Sequence, residues 1–157
     1  MVQLRIVLSR DRAYIFSRYQ GGSISNLTLQ EHVDNASPNP TGAKSILVAE
    51  DEPLIRGLLH NVLERWGYHA IVAHDGKEAL EIADRHPGEI DLLLTDITMP
   101  TMDGQELADK LTKQRPTIKV ILMSGYSRFQ IVLRSGWEFI QKPFKPSEVK
   151  QKIDEIL

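Results

Sequence analysis

The sequence predicts an α/β fold, in which helices cover both faces of a five-stranded parallel sheet and an N-terminal arm precedes it. From residue 45 onward, short apolar runs alternate with longer segments of helical periodicity, the pattern of repeated strand–helix units. Three of the runs, at 46–48, 92–94 and 120–123, are apolar without interruption, as strands buried on both faces require. We therefore expect five strand–helix pairs, with ligands binding beyond the carboxyl ends of the strands.

The arm and its linker occupy residues 1–44. Apolar and polar residues alternate in 4–8, and the run 13–16 follows a charged turn, which predicts a short hairpin. The stretch 35–42 is rich in Pro, Gly, Asn and Ser, as linkers are, so the folded domain is expected to span 45–157. A lone hairpin is marginal in water, so this one is expected to pack on something, to belong to a larger upstream domain, or to be mobile.

The predicted strands follow from the apolar runs. The second run mixes polar and apolar residues and so indicates a strand at the edge of the sheet. The candidates are residues 46–49, 69–73, 90–95, 118–123 and 138–140.

The predicted helices have recognisable starts and stops. Helix one begins at Pro53, repeats apolar residues every fourth position, and stops at Gly67. Helices two and three open with an aspartate three residues before a glutamate, which is the capping-box spacing. These pairs are Asp75 with Glu78 and Asp103 with Glu106. A short fourth helix is expected around 129–134 and a last one from Pro146 to Ile156.

Composition excludes several classes of function. The 157 residues carry 19 Lys and Arg against 21 Asp and Glu, a net charge of −2, so a nucleic-acid partner is not expected. The absence of Cys excludes disulfides, thiolate metal sites and thiol catalysis. No apolar run approaches the roughly 20 residues of a membrane helix, and the N-terminus lacks a signal-peptide core. We expect a cytoplasmic protein with no membrane partner.

Polar residues that carry chemistry follow four of the predicted strands. Glu50 and Asp51 end the first, Asp96 the third and Ser124 the fourth, while Lys142 follows the fifth. The strand ends share one edge of a parallel sheet, so these side chains should meet there. Clustered carboxylates suit one hard divalent ion such as Mg²⁺, and a lysine opposite them suits a phosphoryl group. The set therefore indicates phosphoryl transfer to a carboxylate.

Four blocks, at 46–53, 94–104, 123–126 and 141–144, resemble the signature blocks of the response-regulator receiver domain of two-component signalling. The resemblance covers residues 45–157 and implies a flavodoxin-like (βα)5 fold. It makes Asp96 the acceptor of a phosphoryl group from a phosphohistidine, carried by a sensor histidine kinase or a histidine phosphotransfer protein.

The resemblance also implies roles for the surrounding residues. Glu50 and Asp51 would hold Mg²⁺ together with Asp96 and the main-chain carbonyl of Thr98. Lys142 would bind one phosphoryl oxygen. Ser124 would hydrogen-bond another, and so act in the switch.

Two features of the C-terminal part are further implications. Phe139 falls where the family keeps the aromatic switch residue, and the Lys142–Pro143 bond is expected to be cis. Lys142 lies 18 positions after Ser124, a shorter distance than in many family members, so the fourth helix should be abbreviated.

The expected function is a signalling phosphoacceptor with only self-directed phosphotransfer and autodephosphorylation, not an enzyme for an outside metabolite. One alternative is a scaffold that works without phosphorylation, although such receivers usually lose a site residue and none is lost here. The other is a phosphohydrolase with an aspartyl nucleophile, which generally needs a second acid where Thr98 stands.

Output is expected to pass through contacts with a downstream protein. The sequence does not identify that protein, and it leaves open whether the chain forms a homodimer. It also leaves open whether the chain is a stand-alone receiver or a segment of a hybrid sensor kinase.

Overall fold

The computed structural model describes residues 3–9, 12–18, 42–125 and 133–157. Contacts divide the chain into two units, Met1–Val33 and Asp34–Leu157. In the first, strands β1 (Gln3–Ser9) and β2 (Arg12–Arg18) pair antiparallel, with Ile6 opposite Ile15. The domain boundary between residues 44 and 45 stays a prediction.

The second unit is built on a parallel sheet of five strands, in the order β4-β3-β5-β6-β7. The strands are β3 (Ser45–Ala49), β4 (His69–Ala73), β5 (Leu92–Asp96), β6 (Lys119–Ser124) and β7 (Trp137–Gln141). The predicted parallel α/β fold is confirmed, and the mixed run 69–73 is an edge strand as expected.

Four helices of the described residues cover the two faces of the sheet: α1 (Pro53–Arg65), α2 (Gly76–Arg85), α3 (Gly104–Gln114) and α4 (Pro146–Ile156). One core contains Leu47 and Leu93 with α2 and α3 residues, and the other contains Val48 and Leu94 with α1 and α4 residues. Successive residues of a strand face opposite sides, so the unbroken apolar runs 46–49 of β3 and 92–94 of β5 fill both cores.

The helix starts differ in part from the predicted capping boxes. Asp75 and Asp103 do cap α2 and α3, each accepting a 2.8 Å hydrogen bond from the N–H three residues later. In a capping box the glutamate carboxylate also accepts from the N–H of the capping residue, and this part of the prediction is wrong. The Glu78 carboxylate accepts from the His74 N–H instead, and Glu106 pairs with Lys110.

The predicted fourth helix lies mostly outside the described residues, and its last two positions, 133 and 134, are not helical. The Lys142–Pro143 peptide bond is cis, as the resemblance implies. Within the part of the chain that the structure describes, no helix has the length and apolarity needed to cross a membrane.

Candidate functional site

Three acidic side chains meet at the carboxyl edge of the sheet. Glu50 and Asp51 follow β3, and Asp96 is the last residue of the neighbouring strand β5. One carboxylate oxygen from each lies within 4.8 Å of the others. Glu50 is fully buried and Asp96 is 8% exposed, whereas Asp51 faces solvent. The cluster has the oxygen donors that a hard divalent cation prefers.

The ammonium of Lys142 joins two of these carboxylates. Its Nζ lies 2.8 Å from Glu50 Oε2 and 2.5 Å from Asp96 Oδ2. Lys142 follows β7, and its main-chain N–H donates to the Ser124 carbonyl at 2.7 Å, so the end of β6 helps to position it. Ionised, the three acids and this lysine leave two net negative charges, which a divalent cation would offset.

Burial and charge act in opposite directions on these groups. Burial raises the pKa of Glu50, although the Lys142 ammonium opposes that shift. Burial by itself would lower the pKa of Lys142, but hydrogen bonds to Asp96 and Glu50 outweigh it and raise that pKa. Lys142 therefore stays charged and holds the two buried carboxylates together.

The backbone around Asp96 is closely packed. The Thr98 N–H donates to Asp96 Oδ1 at 3.2 Å, and the buried Thr95 hydroxyl donates to the Asp96 carbonyl at 2.9 Å. A β-carbon at Gly104 would lie 2.1 Å from that carbonyl oxygen, so the start of α3 approaches β5 as only glycine permits. These contacts leave Asp96 little freedom to move.

The sequence did not single out Arg56, which belongs to the same site. Its guanidinium donates to the main-chain carbonyls of Glu50 at 2.7 Å and Asp51 at 3.1 Å. The sequence does show a cation in the first turn of the helix that follows the acidic pair. Whether that cation contacts the pair depends on how the chain turns between β3 and α1.

The structure thus brings Glu50, Asp51, Asp96 and Lys142 together. Ser124 ends β6 at the same edge, next to Gln141 in register, and is 1% exposed. Phe139 lies in β7, three residues before Lys142, and is half-buried against the α2/α3 core.

Comparison with known proteins agrees with the resemblance. The family model described as "Response regulator receiver domain" matches residues 46–154. The response regulator receiver protein CpdR of Brucella abortus is 35% identical over 118 residues, covering 73% of this chain and 97% of CpdR. The sensor kinase CckA of the same organism is 34% identical over 121 residues, covering 74% of this chain but 13% of CckA.

A solved structure gives a likeness to a metal-bound relative. The response regulator protein TrrA of Thermotoga maritima, in complex with Mg²⁺–BeF, is 38% identical with a TM-score of 0.64, and covers 73% of this chain and 99% of that one. Other curated relatives are longer, and the chain spans 23–48% of three of them.

Proposed function

This chain belongs to the family of response regulator receiver domains, and from that premise we propose that it accepts a phosphoryl group on Asp96 in two-component signalling. The observation that carries the proposal is the cluster that Asp96 forms with Glu50, Asp51 and Lys142 at one edge of the sheet. A nucleophilic carboxylate needs cations around it to neutralise the oxygens of the group it receives.

The donor set fits one Mg²⁺ ion, because carboxylate oxygens at this spacing carry two uncompensated negative charges. Glu50, Asp51 and Asp96 would hold the ion together with the main-chain carbonyl of Thr98. The likeness to TrrA in complex with Mg²⁺–BeF supports this assignment. When bound, the ion would neutralise charge on the transferred oxygens.

In the proposed step, an Asp96 carboxylate oxygen attacks the phosphorus of a phosphohistidine. The phosphorus–nitrogen bond breaks, the imidazole keeps the electron pair and takes a proton, and an acyl phosphate forms on Asp96. The Lys142 ammonium would exchange its contact with Asp96 Oδ2, one of its two present carboxylate partners, for a contact with a phosphoryl oxygen. The Ser124 hydroxyl, at the end of the adjacent strand, would hydrogen-bond another oxygen.

The proposed phosphodonor is a sensor histidine kinase or a histidine phosphotransfer protein in the cytoplasm. Rearrangement at Ser124 would reach Phe139 through β7, which pairs with β6, and change the affinity of a downstream protein. The matches to CpdR and to CckA are compatible with a stand-alone receiver and with a receiver segment of a larger kinase.

The test is the intact mass of the protein after incubation with Mg²⁺ and acetyl phosphate. We expect one phosphoryl adduct in the wild type and none with a chelator present. Asp96→Asn keeps the shape of the side chain but removes the nucleophilic carboxylate, so it should give no adduct while its circular dichroism spectrum is unchanged.

Two outcomes would contradict the proposal. An equal adduct on Asp96→Asn would place the acceptor elsewhere. A folded wild type that binds Mg²⁺ and gains no adduct would favour a receiver that works without phosphorylation.

A further inference from the structure

Arg56 is a cation whose position is unfavourable on two general grounds. It lies in the first turn of α1, where the helix dipole favours negative rather than positive charge. It also places a second cation beside a site proposed to bind a divalent metal ion. Both effects oppose an arginine here, which suggests that its contacts compensate.

Those contacts are made to the main chain of the acidic turn. The Arg56 guanidinium donates to the carbonyls of Glu50 and Asp51, at 2.7 Å and 3.1 Å. Its own N–H donates to the Glu52 carbonyl at 3.0 Å, so the residue is anchored in the helix that follows the turn. Both hydrogen bonds come from one nitrogen, Nη1, whose two N–H groups are fixed in the guanidinium plane, whereas the N–H groups of a lysine ammonium rotate freely.

The two acidic side chains are held to different degrees. Glu50 is buried and is fixed by Lys142 and by the Glu52 N–H, which donates to Glu50 Oε1 at 3.3 Å. The Asp51 side chain is exposed, so the direction in which it points depends on its main chain. Arg56 contacts that main chain.

We infer that Arg56 is a positioning residue for the metal site: by holding the carbonyls of Glu50 and Asp51 it fixes the turn between β3 and α1, and so aims the exposed Asp51 carboxylate before the cation arrives. This inference rests on the proposed function, because it takes the acidic cluster as a metal site.

A positioning role for Arg56 and simple electrostatics predict opposite changes in cation affinity when Arg56 is removed. Removing a positive charge near a cation site should tighten cation binding if the charge acts only through its field. If Arg56 positions the ligands, its removal should weaken binding, since loss of a group that orients metal ligands typically costs about 10- to 100-fold in affinity.

The experiment measures Mn²⁺ binding by electron paramagnetic resonance, with Mg²⁺ as competitor, because oxygen sites accept both ions. The variants are Arg56→Met, which keeps the apolar stem, and Arg56→Lys, which keeps the charge. Arg, Lys and Met have similar helix propensities, so α1 should persist. Arg65→Met, an exposed position in the last turn of α1, removes the same charge farther along the helix and serves as the control.

We expect Arg56→Met to weaken Mn²⁺ binding about tenfold, Arg56→Lys to weaken it less, and Arg65→Met to leave it unchanged. In the metal-free protein, amide hydrogen exchange at residues 51 and 52 should accelerate in Arg56→Met and not in the control. This second measurement reports the position of the turn without metal.

The outcomes separate this inference from the proposed function. Wild type that binds Mn²⁺, with an Arg56→Met variant that binds as tightly or more tightly, would overturn the positioning role alone. Wild type that binds no Mn²⁺ would overturn the metal site, and this role with it.

Discussion

At the scale of single residues, the acidic cluster that would bind a cation also lowers the stability of the metal-free protein. Glu50, Asp51 and Asp96 bring like charges close together, and Lys142 offsets only part of that charge. Groups arranged to bind a cation repel one another when the cation is absent. Metal-free protein should therefore become more stable when the charge of Asp51, the exposed member of the cluster, is removed.

Asp51→Asn tests this expectation, because Asp51 is exposed and its side chain can lose its charge without leaving a buried gap. In metal-free protein we expect the free energy of unfolding to rise by a few tenths of a kcal/mol up to about 1 kcal/mol, since solvent screens an exposed charge. With Mg²⁺ at a hundred times its wild-type Kd, the wild type should gain about 2.7 kcal/mol. A tenfold loss of affinity would remove about 1.4 kcal/mol of that gain.

Urea unfolding with and without Mg²⁺ measures both effects. If Asp51→Asn destabilises metal-free protein, repulsion in the cluster is not significant. If Mg²⁺ stabilises the variant as much as the wild type, Asp51 is not a metal ligand.

Residue-level prediction from sequence worked where the position along a strand decided the outcome. Asp96 and Lys142 follow apolar runs, so the common edge of a parallel sheet brings them together. Arg56 could not be predicted in this way. Its hydrogen bonds depend on the local path of the turn before α1, which no periodic pattern specifies.

At the scale of elements, the start of α3 is packed directly on the end of β5. A β-carbon at Gly104 would lie 2.1 Å from the Asp96 carbonyl oxygen and 2.9 Å from the Thr95 hydroxyl. Both neighbours are buried, so neither can move aside cheaply. Gly57 in α1 is the opposite case, with nothing within 4 Å of such a β-carbon.

Replacing glycine by alanine should consequently have opposite effects on the stability of the protein at these two sites. Gly104→Ala should destabilise the protein by about 1–3 kcal/mol, the usual cost of overpacking, and should weaken Mg²⁺ binding by displacing Asp96. Gly57→Ala should stabilise it by about 0.5–1 kcal/mol, because alanine has the higher helix propensity. Thermal unfolding measures both, and equal shifts of Tm would contradict the packing of α3 on β5.

Sequence patterns predicted the elements better than their ends. The run 90–95 was predicted as a strand, but β5 begins at Leu92. Ile90 is buried as its apolar character suggests, whereas the Asp91 carboxylate accepts from the Ser45 N–H and from Lys44. The hydrophobicity of a run predicts which residues are buried. It does not predict the side-chain hydrogen bonds that Asp91 makes just before the strand begins.

At the scale of the whole molecule, the described residues of the second unit form two helical layers on one sheet, with few buried polar groups outside the site. The strands and helices were predictable because the apolar runs of the strands fill the two cores, one on each face of the sheet. Among the described residues, the buried polar residues outside the site are Ser45, in β3, and His86, which the sequence pattern did not identify. It lies at the end of α2, is 6% exposed, and its Nδ1 is buried without a hydrogen-bond partner.

His86 should make the stability of the whole domain sensitive to mild acid. Burial lowers the pKa of His86, and the nearby Arg115 guanidinium and His69 lower it further. The unfolded chain therefore takes up a proton as the pH falls below about 6.5, while folded His86 stays neutral until its own lower pKa is reached. Over that interval the free energy of unfolding should decrease as the pH falls, and His86→Gln should lack this component. Urea unfolding of both proteins between pH 7.5 and pH 5 measures this component. Below pH 6.5 the free energy of unfolding of the variant should rise relative to that of the wild type. If the two free energies change in parallel, His86 is protonated as readily in the folded protein as in the unfolded chain.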